Sequence, residues 1–442
     1  MPRESVPLPQ SSAGIAAETA SVPRRRWIIA LLLGFGVVVN YFDRVNVSVS
    51  QTALHTAFGV TTVEFGYLLG AYSWTYCFMQ VPCGLLLDRF GVRKIGLIGS
   101  FLWSVACFGG ALSTSVPSFF TSRLILGVGE APSFPGSSKA TGYWFPDSER
   151  SLATAIYDGA AKLGPAIGVP LLGLLLIRFG WRWSFAATGF LSLLYFFLFW
   201  WIYRNPSEDP SLSRREHQFI LRGGANSEGA ASAGEGTSLA YLLGRKKVGG
   251  LLLGYASYNY TFYLLLSWLP SYLYMSLHVN LLHSVIYTSI PWLTGALVEF
   301  AIGGWLIDAL ICRGRDASRV RQTILVVGTS LGLGLFGAAQ AHTIRTAVAW
   351  ITLSLAGLSA ASAVGWSVPS LIAPKGSVGA LGGLLNFCNQ LAAIAAPIVT
   401  GYIVAFTHSF AGAFIAAATF LALGIAAYIV LLGRIEPIPE PV

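Results

Sequence analysis

Gly84-Leu85-Leu86-Leu87-Asp88-Arg89-Phe90-Gly91-Val92-Arg93-Lys94 returns half a chain later in a weaker form, Gly304-Trp305-Leu306-Ile307-Asp308 followed by Arg313 and Arg315. In both copies an apolar run of membrane-spanning length ends in Gly-x-x-x-Asp and then turns basic. A junction repeated after equivalent apolar runs implies an integral membrane protein made of two similar halves. That is the plan on which alternating-access transport rests.

Composition agrees. Apolar residues make up 54% of the 442-residue chain and charged residues only 11%, where a soluble domain carries about a quarter charged residues. The net charge of +9 does not point to nucleic acid, because the basic residues fall in short clusters between apolar runs, as the positive-inside rule expects. The five cysteines (Cys77, Cys83, Cys107, Cys312, Cys388) have no metal spacing, and the four that lie in apolar runs read as small apolar fillers; a structural disulfide is not expected. Arg24-Arg25-Arg26 before an apolar stretch imitates a signal peptide, but that stretch is too long and has no small-residue cleavage site. It reads as the first span.

A spanning helix needs about 20 mostly apolar residues. Runs of that kind lie near 27–49, 63–87, 95–113, 117–138, 151–177 and 183–203, then near 248–275, 284–310, 323–341, 346–370, 377–406 and 410–432. The expected fold is all-α: twelve transmembrane helices in two pseudo-symmetric six-helix bundles. The expected organisation is a disordered tail at 1–23, one bundle over 24–203, a polar linker over 204–247, a second bundle over 248–433 and a tail at 434–442. With both termini cytoplasmic, 22 of the 28 basic residues face the cytoplasm and three (Arg178, Arg182, Arg345) face outward, which fixes the orientation. The expected setting is a bacterial inner membrane, and a monomer is the default state.

The repeated junction has a physical reading. Gly84 and Gly304 let neighbouring helices approach closely. Asp88 and Asp308, at the cytoplasmic ends of spans 2 and 8, pair with a nearby arginine such as Arg89 or Arg93, or cap a neighbouring helix. Such contacts hold the halves together in one state and break in the other, or merely anchor a loop. On either reading these residues gate or brace.

The stretch Gly84 to Lys94 resembles the loop 2–3 signature of the major facilitator superfamily. Within it the chain resembles the anion:cation symporters, which include bacterial hexuronate, glucarate, galactonate and sialic acid carriers. The residues that carry this are Asn40-Tyr41-Phe42-Asp43-Arg44 in span 1 and Ser122-Arg123 through Glu130-Ala131-Pro132 in span 4. Trp144-Phe145-Pro146 with Glu149-Arg150, and Asn259-Tyr260 through Tyr263 running into Trp268-Leu269-Pro270, extend it over nearly the whole chain.

Charge at mid-membrane depth costs about 2.5 kcal/mol or more, so each buried charge calls for a reason. Arg123 and Glu130 are two turns apart and project from nearly one face. Asp43 and Arg44 point about 100° apart and serve different partners. Arginine stays charged and its fork suits a carboxylate, whereas desolvated carboxylates take up protons. The plainer alternative is a set of structural ion pairs. The resemblance implies more: Asp43 and Glu130 as protonation sites, Arg44 holding the substrate carboxylate, Arg123 linking charge to conformation, and Tyr41 and Tyr76 lining the pocket. Asp158 and Lys162 share one face of span 5 and either pair or present Lys162 to the cavity as a second cation. Glu299 reads as a partner inside the bundle.

The second half offers amides and aromatics. Asn386, Asn389 and Gln390 form one polar stripe, with Trp366, Ser367, Asn259, Tyr260 and Tyr263 as other walls. Neutral donors opposite a cationic half suit a polyhydroxylated acid, although each is equally suited to binding helices together. The leading expectation is proton-driven uptake of a small organic anion, a sugar acid by resemblance. The alternative is a proton antiporter, suggested by Gly159 and Gly164-Pro165-Ala166-Ile167-Gly168 in span 5, where Val169 replaces the second glycine of the efflux motif. No nucleotide-binding or catalytic pattern is present, so no cofactor and no enzyme activity is expected.

Overall fold

A computed structural model of the chain describes residues 23–226, 228, 238–374 and 377–440. The expected tail before residue 23, most of the middle of the expected linker and the side chain of Asp308 lie outside what is described, as do the surroundings of Gly304. Among those described every regular element is helical, and eight helices are long and apolar enough by length and composition to cross a membrane.

Whole and broken helices together trace twelve spans. In the first half, span 1 is Arg25–Val49, spans 2 and 3 share Thr62–Leu112, span 4 is Val116–Glu130 continued by Ser133–Trp144, span 5 is Asp147–Phe179 and span 6 is Trp181–Ile202. In the second half, span 7 is Lys246–Ser276, and span 8 runs from Leu281–Ala301 through a π turn at Ile302–Leu306 to Ile307–Cys312. Span 9 is Ala317–Gly332, span 10 Ile344–Gly365, span 11 Val378–Thr407, and span 12 Ala411–Ala427 with a π-helical end, Tyr428–Leu432.

The junction that opened the sequence reading is not a loop. Helix continues through Asp88, Arg89 and Phe90 and breaks only at Gly91, where φ is +80°. A side chain disfavours that conformation and glycine tolerates it.

The halves meet along a seam in which span 2 packs on span 11, span 5 on span 8 and span 1 on span 7. Call the membrane side bearing the start of span 1 and the end of span 12 the terminal side. Where spans 1 and 2 meet spans 7 and 11, the tight contacts lie on the opposite, far side. A Cβ on Gly66 would come within 2.7 Å of the Pro397 carbonyl oxygen. Ser48 Oγ donates to the Ser267 carbonyl at 2.5 Å, Ser271 bonds Gln51, and Phe65 meets Trp268 edge-on at 5.6 Å. Toward the terminal side, Gly84, Gly379, Gly382 and Gly383 have nothing within 4 Å of an added Cβ. The close helix approach expected at Gly84 is therefore not made in this state, because the terminal ends of spans 2 and 11 stand apart.

The described part of the linker belongs to the first half. Its helix Arg214–Arg222, capped by Ser213 Oγ, carries a fully buried Glu216. That carboxylate accepts the backbone N–H of Arg25 at 3.2 Å and of Arg26 at 3.1 Å, and the Arg26 guanidinium at 3.0 Å. The first N–H groups of a helix have no partner within it, so an acid from the linker satisfies the start of span 1 and complements its dipole.

Candidate functional site

Span 1 enters the seam as a single helix and presents consecutive residues to different neighbours. Asp43 turns into the first half, where Ser192 Oγ of span 6 donates to it at 3.2 Å and Cys107 and Thr188 lie beside it. Arg44, a residue later and about 100° round the helix, turns toward span 4 and the second half. Its Nε and Nη2 donate to one oxygen of Glu130 at 3.0 and 2.8 Å, and its Nη1 donates to the Tyr263 hydroxyl of span 7 at 3.3 Å. The guanidinium carbon lies 4.6, 4.9 and 5.3 Å from the ring centroids of Tyr41, Tyr72 and Tyr76. An arginine in a cage of three rings gains cation–π attraction where water is excluded.

Arg123 follows a separate course. Its Nη2 donates to the backbone carbonyl of Asp43 at 3.1 Å, so it ties span 4 to span 1 through the main chain. All four charged side chains are at most 6% exposed. Asp43 Oδ1, Glu130 Oε1 and Arg123 Nε have no partner among the described residues. The centre balances two acids against two arginines, with unused capacity on three of the four.

The second half closes this centre with neutral groups. Tyr72 donates to the Tyr263 hydroxyl at 2.7 Å. Asn386 Nδ2 reaches Gln80 Oε1 of span 2 at 3.1 Å. Asn259 Nδ2 bonds the Asn389 backbone carbonyl, while Asn389 Oδ1 and Gln390 Oε1 are buried without a partner among the described residues. Two of the expected wall residues stand elsewhere. Tyr260 packs edge-on against Phe420 of span 12 at 5.7 Å. It lies 100° from Asn259, whereas Tyr263 is a full turn on and shares its face. Trp366, 42% exposed, packs against Tyr255 at 5.6 Å.

Tyr72 and Gln80 were missed in the sequence. Tyr72, Tyr76 and Gln80 recur every four residues on one face of span 2, a signal present but masked by the apolar run around it.

Lys162 does not stand free in the cavity. Its Nζ lies 2.9 and 2.8 Å from the two oxygens of Glu299 in span 8 and 3.8 Å from Asp158, so its closest partner belongs to the other half. The expected bundle-interior partner of Glu299 is thus Lys162. Asp88 pairs with Lys139 of span 4, not with Arg89 or Arg93. Arg89 instead lies over the Phe90 ring, its guanidinium carbon 5.3 Å from the centroid. The Asp88 contact braces one half internally and does not join the two. Asp308 lies outside the residues whose side chains are described. All five cysteines are free.

A two-bundle helical membrane protein with a caged, acid-paired arginine on the seam between its halves has the build of a secondary transporter. The major facilitator superfamily model matches residues 33–397, and the chain belongs to that superfamily: it is a membrane transporter and not an enzyme. Among similar proteins is an uncharacterized transporter, YybO, of Bacillus subtilis strain 168, 37% identical and aligned over 93% of this chain and 95% of that one. The D-galactonate transporter of Escherichia coli O6:H1 is 30% identical, covering 96% and 99%. The probable galactarate/D-glucarate transporter GarP of Escherichia coli K12 is 31% identical, covering 93% and 95%. Of solved structures, a bacterial homolog of the human lysosomal transporter Spinster in an inward-facing, occupied conformation superposes with a TM-score of 0.72. It is 18% identical and covers 92% of this chain and 96% of its own.

Proposed function

We propose that this transporter is a proton-coupled symporter that takes up a small organic anion, a sugar acid of the aldonate, aldarate or hexuronate class. The observation that carries the reading is Arg44: a cation that keeps its charge, held between the halves and paired with a carboxylate that can take a proton. While Glu130 is ionised it occupies the guanidinium that a substrate carboxylate needs. Protonation of Glu130 frees the fork, and an incoming carboxylate replaces it with matched geometry. Asp43 is the second proton acceptor, and Arg123, bonded to the span 1 backbone beside it, passes its charge state to the helix. Neutral donors on spans 2, 7 and 11 are suited to the hydroxyls of the substrate. The names of the relatives support the substrate class.

The excess of basic residues on the terminal side supports a cytoplasmic placement of both termini, so the state described here faces inward. Both sides of the site come from one chain, which suits a monomer in a bacterial inner membrane. The testing experiment is uptake of a panel of labelled sugar acids and aromatic acids into proteoliposomes, with and without an inward proton gradient. Accumulation of one acid that collapses with a protonophore supports symport. Efflux of a compound when the gradient is imposed, with no acid accumulated, overturns it in favour of antiport.

A further inference from the structure

A second group of buried charges lies on the seam itself, apart from the Arg44 centre. Lys162 of span 5 holds both oxygens of Glu299 of span 8 within 2.9 Å, and Asp158, one turn back on span 5, lies 3.8 Å from the same ammonium. The Lys162 and Glu299 side chains are 4% and 7% exposed, and that of Asp158 is 21% exposed. Among the described residues the other titratable neighbours are phenols: Tyr157 of span 5, Tyr255 and Tyr258 of span 7, and Tyr41 of span 1.

The charge count is uneven. Two carboxylates face one ammonium, so the fully ionised cluster carries a net −1 at a depth where an unbalanced charge is costly. The Arg44 centre has no such excess. The partners are also divided between halves. Asp158 and Lys162 ride on one helix and stay together whatever the halves do, whereas Glu299 has Lys162 only while spans 5 and 8 are in register. Were spans 5 and 8 to part at this level, Lys162 would stay beside Asp158 on span 5 and Glu299 would be left an anion beside phenols.

We propose that Glu299 is a further proton-binding site, neutralised by Lys162 when the halves are joined at this level and by a proton when they part. The step is a simple exchange. A proton from water binds a Glu299 oxygen as the Lys162 contact opens, and it returns to water when the contact re-forms. In a symporter this adds one proton to the transport cycle, a part of the proposal that rests on the symport reading. The proton-binding claim itself does not.

Two variants test it. Glu299→Gln removes the titrating group and leaves the neutral pair Lys162–Asp158. Asp158→Asn leaves Lys162 wholly to Glu299, which should then hold its proton less tightly. Infrared difference titration of the purified full chain needs no substrate. It should show a protonated-carboxyl stretch, in addition to those of Asp43 and Glu130, that is absent from Glu299→Gln and whose midpoint Asp158→Asn moves to lower pH. In proteoliposomes with the membrane potential clamped at zero and a gradient of one pH unit, Glu299→Gln should lower the limiting accumulation ratio about tenfold, the factor carried by one proton. A band that persists in Glu299→Gln with an unmoved midpoint in Asp158→Asn overturns the proton site. Loss of the band with an unchanged accumulation limit overturns its coupling to transport. A wild type that accumulates nothing refutes symport, and the infrared titration still decides whether Glu299 binds the proton.

Discussion

Arg44 spends two N–H groups on a single oxygen of Glu130, leaving the other oxygen, Oε1, buried and without a partner among the described residues. A matched arginine–carboxylate fork uses both oxygens, so this pair is less complete than the one a free carboxylate could make with the same guanidinium. Arg44→Lys keeps the charge and loses the fork. It should weaken binding of the transported acid about 10- to 100-fold, the loss of one charged hydrogen bond of about 1.5–3 kcal/mol. Titration calorimetry on the purified protein checks this, and unchanged affinity would remove Arg44 from the substrate site.

Glu130→Gln imitates the protonated acid. Exchange of labelled for unlabelled substrate across the membrane should continue, because the fork stays available. Accumulation driven by a gradient of one pH unit, with the membrane potential clamped at zero, should fall about tenfold, the factor carried by the one proton lost. A Glu130→Gln protein that still concentrates its substrate as the wild type does would show that the coupling proton binds elsewhere.

The twelve spans, the two halves and the helix 1 and helix 4 charges were legible in the sequence because apolar length and buried charge are local signals. Partner choice was not. Sequence spacing puts Asp158 and Lys162 on one helix face, yet only the packing of span 8 on span 5 brings Glu299 closer to the ammonium than Asp158. Tyr260 and Tyr263 were equally plausible as walls, and the rotation of span 7, set by its neighbours, decides between them. The linker looked like a polar tether. Glu216 becomes a cap for span 1 only through contacts 190 residues apart in the chain.

That difference on span 7 is testable. Tyr263→Phe removes the hydroxyl that accepts from Tyr72 and from Arg44, and it should raise the Michaelis constant for uptake several-fold. Tyr260→Phe, whose ring faces span 12, should leave uptake within about twofold of wild type. Equal effects of the two would mean that span 7 turns a different face to the substrate.

Glu216→Ala leaves two helix-start N–H groups without their acceptor and takes from Arg26 the buried one of its two acids, Glu149 remaining on its Nε and Nη2 at 2.6 and 2.9 Å. Each buried donor left without an acceptor costs about 1–3 kcal/mol, so the detergent-solubilised protein should unfold at a lower temperature. Glu208→Ala, in the same linker and without a role at the start of span 1, is the control and should not differ from wild type.

Gly66 and Gly84 sit on the same helix at opposite ends of the seam, and they should respond in opposite ways to a larger side chain. At Gly66 a Cβ would meet the Pro397 carbonyl oxygen at 2.7 Å and the Ile398 Cα at 3.3 Å, backbone atoms that cannot swing aside. Gly66→Leu should therefore push the far side of the seam open and shift the population away from the state described here. At Gly84 nothing lies within 4 Å, so Gly84→Leu costs nothing in this state. It should clash only when the terminal ends of spans 2 and 11 come together, and so should trap the present state. Spin labels placed across the far side and across the terminal side read both shifts: longer far-side distances for Gly66→Leu, and terminal-side distances for Gly84→Leu that stay long when substrate is added. Movement of both variants in the same direction would mean that the two ends of the seam do not open in alternation.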